Sequence, residues 1–161
     1  MQKIKVLFVC LGNICRSPMA EGIFEDLVEK EGVADRFEID SAGTSGYHVG
    51  ELPDARGRRV CSENGITLQS RSRQFVKQDL SDFDYVLAMD RSNHRNINNL
   101  KTPGANYKAV VSLMRAYDPQ PDSHDVPDPY YGGDSGFQNV FDMLERSNAA
   151  LLKEIREKYG F

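Results

Sequence analysis

The run Ile4-Lys5-Val6-Leu7-Phe8-Val9 is almost wholly apolar and β-branched, and it stops abruptly at the polar, glycine-bearing loop Cys10 to Ser17. A short continuous apolar run of this kind is a strand buried on both faces, so the chain must supply cover on two sides of a sheet. The residues after the loop begin that cover. Ser17 suits a helix N-cap and Pro18 the first helical position. Met19, Ile23, Phe24, Leu27 and Val28 then recur at helical spacing until Gly32. The alternation repeats with a short strand Phe37-Glu38-Ile39 and a helix from Pro53 to Asn64 closed by Gly65. A strand Tyr85 to Met89, a helix Arg91 to Leu100 and a strand Ala109 to Leu113 come next. A final long helix is expected from about Ser135 to Lys158, with Phe137, Phe141, Leu144, Leu151, Leu152 and Ile155 as its inner stripe.

Strands alternating with helices predict an α/β fold, a three-layer sandwich with a central four-stranded parallel sheet and helices on both faces. The 161 residues suffice for one domain, expected over 1–161, without repeat or linker. In such sheets ligands sit at the carboxyl ends of strands, near the topological switch point. The loop after the first strand is the place to look.

Composition narrows the function. A net charge of −4 argues against nucleic-acid and membrane-surface binding. The local run Arg56, Arg58, Arg59, Arg71 and Arg73 reads as a solvated face. The N-terminus lacks a signal-peptide core and no apolar run approaches membrane-spanning length, so the expected compartment is the cytoplasm. Three cysteines are too few for a disulfide scaffold. That leaves them for chemistry or simple burial.

The loop Cys10-Leu11-Gly12-Asn13-Ile14-Cys15-Arg16-Ser17 joins the buried strand to a helix N-terminus. Backbone N–H groups converge at such a turn and the helix adds partial positive charge, which together make a phosphate cradle. Gly12 and Asn13 permit its tight conformations. N–H donors, cations and helix N-termini also lower a thiol's pKa, so a cradle for phosphate favours Cys10 as a thiolate nucleophile. Arg16 offers a planar fork matched to two phosphate oxygens. The Ser17 hydroxyl can donate to the sulfur.

The segment from Val9 to Pro18 resembles the phosphate-binding loop of the low-molecular-weight protein tyrosine phosphatases. The resemblance extends through Asp40-Ser41-Ala42-Gly43-Thr44, Met89-Asp90, Tyr117-Asp118-Pro119-Gln120 and Asp128-Pro129-Tyr130-Tyr131. It implies hydrolysis of phosphotyrosine and aryl phosphates, acid phosphatase activity included, through a cysteinyl-phosphate intermediate. Cys10 would be the nucleophile and Arg16 the clamp, with phosphate bound by residues Leu11 to Ser17. A proton donor at the leaving oxygen is also required. From the residues alone Asp118, Asp122, Asp125 and Asp128 are all open, because all lie on one proline-studded stretch. The resemblance selects Asp128, first as general acid and then as general base.

The resemblance further implies that Tyr130 and Tyr131 wall the entrance, opposite Tyr47, and that Asn13, Ser17 and Ser41 hold the loop open. Members of the family often bring a histidine to that network where this chain has Ser70, whose smaller hydroxyl would make it thinner. Cys15 would pair reversibly with an oxidised Cys10 or serve as packing. Cys61 reads as packing. His48, His94 and His124 lack a catalytic context. Neither metal nor cofactor is expected. The expected partner is a phosphotyrosine protein or a small aryl phosphate, met by a monomer or a weak dimer. Rival chemistries on this fold are thiol-dependent arsenate reduction, which needs further cysteines that the chain lacks after Cys61, and phosphoarginine hydrolysis. Loops of the latter type tend to carry threonine where this chain has Ile14. A catalytically dead phosphate-binding module is the rival outside enzymes, disfavoured by intact Cys10, Arg16 and Asp128.

Overall fold

A computed structural model describes residues 2–131 and 134–161, without the side chains of Tyr131, Asp134 and Ser135. The strands are β1 (Ile4–Cys10), β2 (Phe37–Gly43), β3 (Tyr85–Ala88) and β4 (Val110–Leu113). The helices are α1 (Arg16–Lys30), α2 (Ala55–Glu63), α3 (Asp79–Asp82), α4 (Arg91–Asn99) and α5 (Asp134–Tyr159). The four strands run parallel in the order β2-β1-β3-β4. The chain leaves β1 toward one edge for β2 and crosses to the other side for β3. The carboxyl end of β1 is therefore the switch point.

Strand alternation divides the core in two. Val6, Phe8 and Cys10 of β1 and Tyr85 and Leu87 of β3 face α1, α2 and α5. There they meet Met19, Phe24, Val60, Phe137, Phe141 and Leu144. Leu7 and Val9, with Val86 and Ala88, face the opposite layer, where Phe75, Leu80, Phe83 and Ile97 pack. All six expected stripe residues of α5 are buried.

Three sequence expectations need amendment. β2 runs on through Asp40-Ser41-Ala42-Gly43, because its pairing with Leu7 to Cys10 continues past the apolar residues. The N-cap of α1 is Cys15, so Ser17 lies inside the first turn and Pro18 comes after it. A first-turn proline forfeits only an N–H that has no helical partner, so either position is tolerated. The short α3 carries no amphipathic period and so has no counterpart in the sequence reading. Its Asp79 instead ties Val76 N–H and Arg73.

Candidate active site

Cys10 ends β1 and is 2% exposed. Its Sγ accepts from Asn13 N–H at 3.3 Å and lies 3.0 Å from Ser17 Oγ. The loop's carbonyls are drawn outward. Cys10 O accepts from Thr44 N–H, Leu11 O from Ser45 N–H, and Ile14 O from Asp54 N–H. Gly12 O accepts from Ser72 Oγ at 3.0 Å. The C=O and N–H edges of a planar trans peptide face opposite ways, so this turns N–H edges toward the loop's centre, as at Asn13.

Asn13 is the loop's pivot. It holds φ +56°, a left-handed conformation that asparagine tolerates better than most side chains. Its Nδ2 donates to Ser17 Oγ at 2.7 Å and to Ser41 Oγ at 2.9 Å, and its Oδ1 accepts from Arg73 N–H. Gly43 lies against this loop so closely that a Cβ there would come within 2.8 Å of Leu11 O and 3.0 Å of Asn13 N.

Arg16 is 3% exposed, in the first turn of α1. Its Nη1 donates to Asp90 Oδ2 at 2.7 Å and to Val126 O at 3.0 Å. Burial opposes its charge, but the Cys10 sulfur and the Asp90 carboxylate outweigh that and hold it cationic. Its Nη2 stands 3.7 Å from Asp128 Oδ2.

Of the four open aspartates, three are occupied elsewhere. Asp118 accepts from Arg115, Arg146 and Gln120 N–H. Its pKa lies below the ordinary range although burial pulls the other way, because Arg146 and Arg115 favour the anion. Asp122 pairs with Arg115 at 2.8 Å, and Asp125 pairs with Arg91. Asp128 alone of these lines the cavity of about 440 Å³ over Cys10, Leu11, Gly12, Ile14, Cys15 and Arg16. Its Oδ1 accepts from Tyr130 N–H at 3.0 Å, and its side chain stays 34% exposed.

Tyr47 and Tyr130 line the same cavity, and Tyr47 is 89% exposed. The side chain expected of Tyr131 lies outside the described residues. Cys15 is buried, and burial followed by the Asp54 charge raises its thiol pKa. Cys61 is pushed up to about 12 by burial alone. Ser70 joins the loop network indirectly, donating to Glu21 Oε1 at 2.9 Å rather than to Ser41 or Asn13.

Three residues of the site are given no role by the sequence reading. Asp90 lies two residues past the end of β3, and the strand-end rule that points to Cys10 could have assigned it a role. His48 lines the cavity against Gly12, with Nδ1 2.8 Å from Glu51 Oε2. Glu21 is buried one turn beyond Ser17 and accepts from Ser41 Oγ at 2.5 Å. A lone glutamate in a helix carries no sequence signal of that kind.

Residues 5–160 match the model of the family described as low molecular weight phosphotyrosine protein phosphatase. The mouse (Mus musculus) low molecular weight phosphotyrosine protein phosphatase is 48% identical over 92% of this chain and 94% of its own. The crystal structure of a protein tyrosine phosphatase from Entamoeba histolytica superposes with a TM-score of 0.92 at 38% identity, covering 98% of this chain and 99% of that one. That of a Drosophila arginine phosphatase gives 0.90 at 34% identity, over 95% and 98%.

Proposed function

Since the chain belongs to the low molecular weight phosphotyrosine protein phosphatases, we propose that this protein tyrosine phosphatase works through Cys10, Arg16 and Asp128 in two displacements. The Cys10 thiolate attacks phosphorus. The S–P bond forms as the P–O bond to the tyrosyl oxygen breaks, and Asp128 gives its proton to that oxygen. Water then attacks the phosphocysteine, Asp128 takes a proton from it, and the S–P bond breaks to return the thiolate and inorganic phosphate. The N–H edges of residues 11–17 and the Arg16 fork bind the equatorial oxygens in both steps. Asp90 anchors the fork through its Nη1.

The observation that carries this reading is the convergence of Cys10 and Arg16, from the loop after β1, and Asp128, from a segment more than 100 residues on, on one cavity. Tyr47 and Tyr130 flank it with aromatic surface suited to a flat phenyl ring, which favours phosphotyrosine over shorter phosphoserine. Ile14 in the loop floor and the higher identity to the mouse phosphotyrosine phosphatase both favour phosphotyrosine over phosphoarginine. The cytoplasm remains the proposed compartment, and no helix among the described residues is long and apolar enough to cross a membrane.

The test is a turnover panel of phosphotyrosine, phosphoserine and phosphoarginine peptides, with arsenate plus a thiol reductant as a separate arm. Phosphotyrosine should dominate, and Cys10→Ser should abolish turnover while still binding phosphate. Preference for phosphoarginine, or reduction of arsenate, would overturn the substrate assignment.

A further inference from the structure

Behind the loop, on the side away from the substrate cavity, the carboxyls of Glu21 and Glu25 stand one turn apart on α1. Glu21 is 7% exposed, and its Oε1 accepts from both Ser41 Oγ and Ser70 Oγ. Glu25 follows it by four residues on α1, the spacing that sets two side chains side by side on one helix face. Two carboxyls placed so can be joined only by a shared proton, since two carboxylates offer acceptors only. Both groups line a cavity of about 320 Å³ with Pro18, Gly22, Gln69 and Ser70, distinct from the substrate cavity. The charged groups acting on Glu21 are Glu25 from its own helix and Asp40 from β2, both anionic. The segment packed opposite presents the neutral Ser70 hydroxyl. Of the cations of that segment, Arg71 donates to Gly50 O and Arg73 is taken by Asp40 and Asp79. Burial and these charges raise Glu21 to about 7, and burial raises Glu25 as well.

The hydrogen bonds leading from Glu21 to the nucleophile have one consistent direction. Asn13 Nδ2 donates to both Ser41 Oγ and Ser17 Oγ, so each hydroxyl must spend its single proton elsewhere. Ser41 gives its proton to Glu21 Oε1, and Ser17, whose other acceptor is Ala42 O at 3.4 Å, gives its own to Cys10 Sγ at 3.0 Å once that sulfur is a thiolate. The acceptor at the far end keeps the whole relay pointing at the sulfur. A proton on Glu21 therefore belongs on its other oxygen, Oε2.

We propose that Glu21 and Glu25 form a proton-sharing pair that positions the catalytic loop through Ser41, Asn13 and Ser17, and whose second ionisation weakens the site for a thiolate and a phosphate dianion. The inference rests on Cys10 being the nucleophile. With one proton the pair carries a single negative charge and the relay is set. Loss of that proton doubles the charge behind a loop built to hold anions. Repulsion then drives the two carboxylates apart and slackens the acceptor that orients Ser41.

The test is the pH profile of kcat/KM for an aryl phosphate with an acidic leaving group, together with the pH dependence of Cys10 alkylation by iodoacetate. In the wild-type protein kcat/KM should fall about 3–10-fold as the pair ionises between pH 6 and 8. Glu21→Gln keeps an oxygen for Ser41 and an amide donor for Glu25, so this component should vanish. Glu25→Gln should remove it too. Glu21→Ala, which deletes the acceptor, should lie about 10-fold or more below Glu21→Gln at pH 6. A mere packing role would make the alanine variant poor but leave both glutamine profiles superimposed on the wild type, and that result overturns the proposal. If the profiles superimpose while Cys10→Ser is inactive, the phosphatase chemistry stands without the pair. Turnover by Cys10→Ser would remove the chemistry and the pair's role with it.

Discussion

At the residue scale, the acid is distinguished by what its neighbours leave free. Asp118, Asp122 and Asp125 each face an arginine other than Arg16, whereas Asp128 reaches the cavity and, among the described residues, pairs only with a backbone N–H and the edge of the Arg16 fork. A phenol leaves poorly without a proton, so Asp128→Ala should lower kcat on phenyl phosphate by about 10²–10⁴-fold. An ester such as 2,4-dinitrophenyl phosphate, whose leaving group needs no proton, should lose far less. Equal losses on both substrates in steady-state assays would remove Asp128 from the role. Cys10, Arg16 and Ser17 were legible in the sequence because one short loop holds them all. The residues alone left the acid open among four aspartates, because Arg91, Arg115 and Arg146, which occupy the other three, come from distant parts of the chain. Glu21 was illegible for the same reason: its meaning comes from Ser41 on another element.

At the scale of elements, the segment carrying Asp128 is a loop with little regular structure, yet it is pinned from beneath. Val126 N–H donates to Met89 O at 2.7 Å, and Val126 O accepts from Arg16. Arg115, 3% exposed, reaches Asp118, Asp122 and Asp125 O at once. One buried guanidinium thus spans both ends of the loop between Asp118 and Asp125. Removing it leaves the buried Asp118 with Arg146 and Gln120 N–H alone. Arg115→Ala should cost about 3–5 kcal/mol, the usual effect of breaking a buried pair on one side. The acid would also lose its placement, so among molecules that remain folded the loss of kcat should be greater for phenyl phosphate than for the dinitrophenyl ester. Urea midpoints and the two kcat values check the two halves separately. The regular elements were legible because periodicity reports burial. The end of β2 was not, since Asp40 and Ser41 are polar residues held in the strand by pairing with Leu7 and Phe8.

At the scale of the whole molecule, the strand and helix alternation gave away the layers, but the order β2-β1-β3-β4 depends on which strands meet and has no local signature. Stability against pH is likewise a property of the entire chain. Asp54 and Asp118 are held below their ordinary range, Asp54 first by its hydrogen bond to Arg56, and Asp118 by Arg146 despite burial. These groups stabilise the fold above the unfolded carboxylate range and lose that contribution as the pH falls. Glu21 acts in the opposite sense. Its folded value of about 7 lies above 4.5, so between those values the unfolded chain ionises it while the folded chain keeps its proton. The unfolded state then binds fewer protons, and stability falls as the pH rises, levelling off above 7. At 1.36 kcal/mol per unit of difference, this one carboxyl should account for a fall of about 3 kcal/mol. The fold should thus be most resistant to urea in mildly acidic solution, near pH 5, rather than at neutrality. Glu21→Gln has no proton to lose, so its advantage over the wild type should be small at pH 5 and grow by about 2–3 kcal/mol by pH 7.5. Paired urea titrations across that range measure the difference directly. A constant gap between the two proteins would mean that Glu21 enters the fold already ionised, and would weaken the case for a proton shared with Glu25.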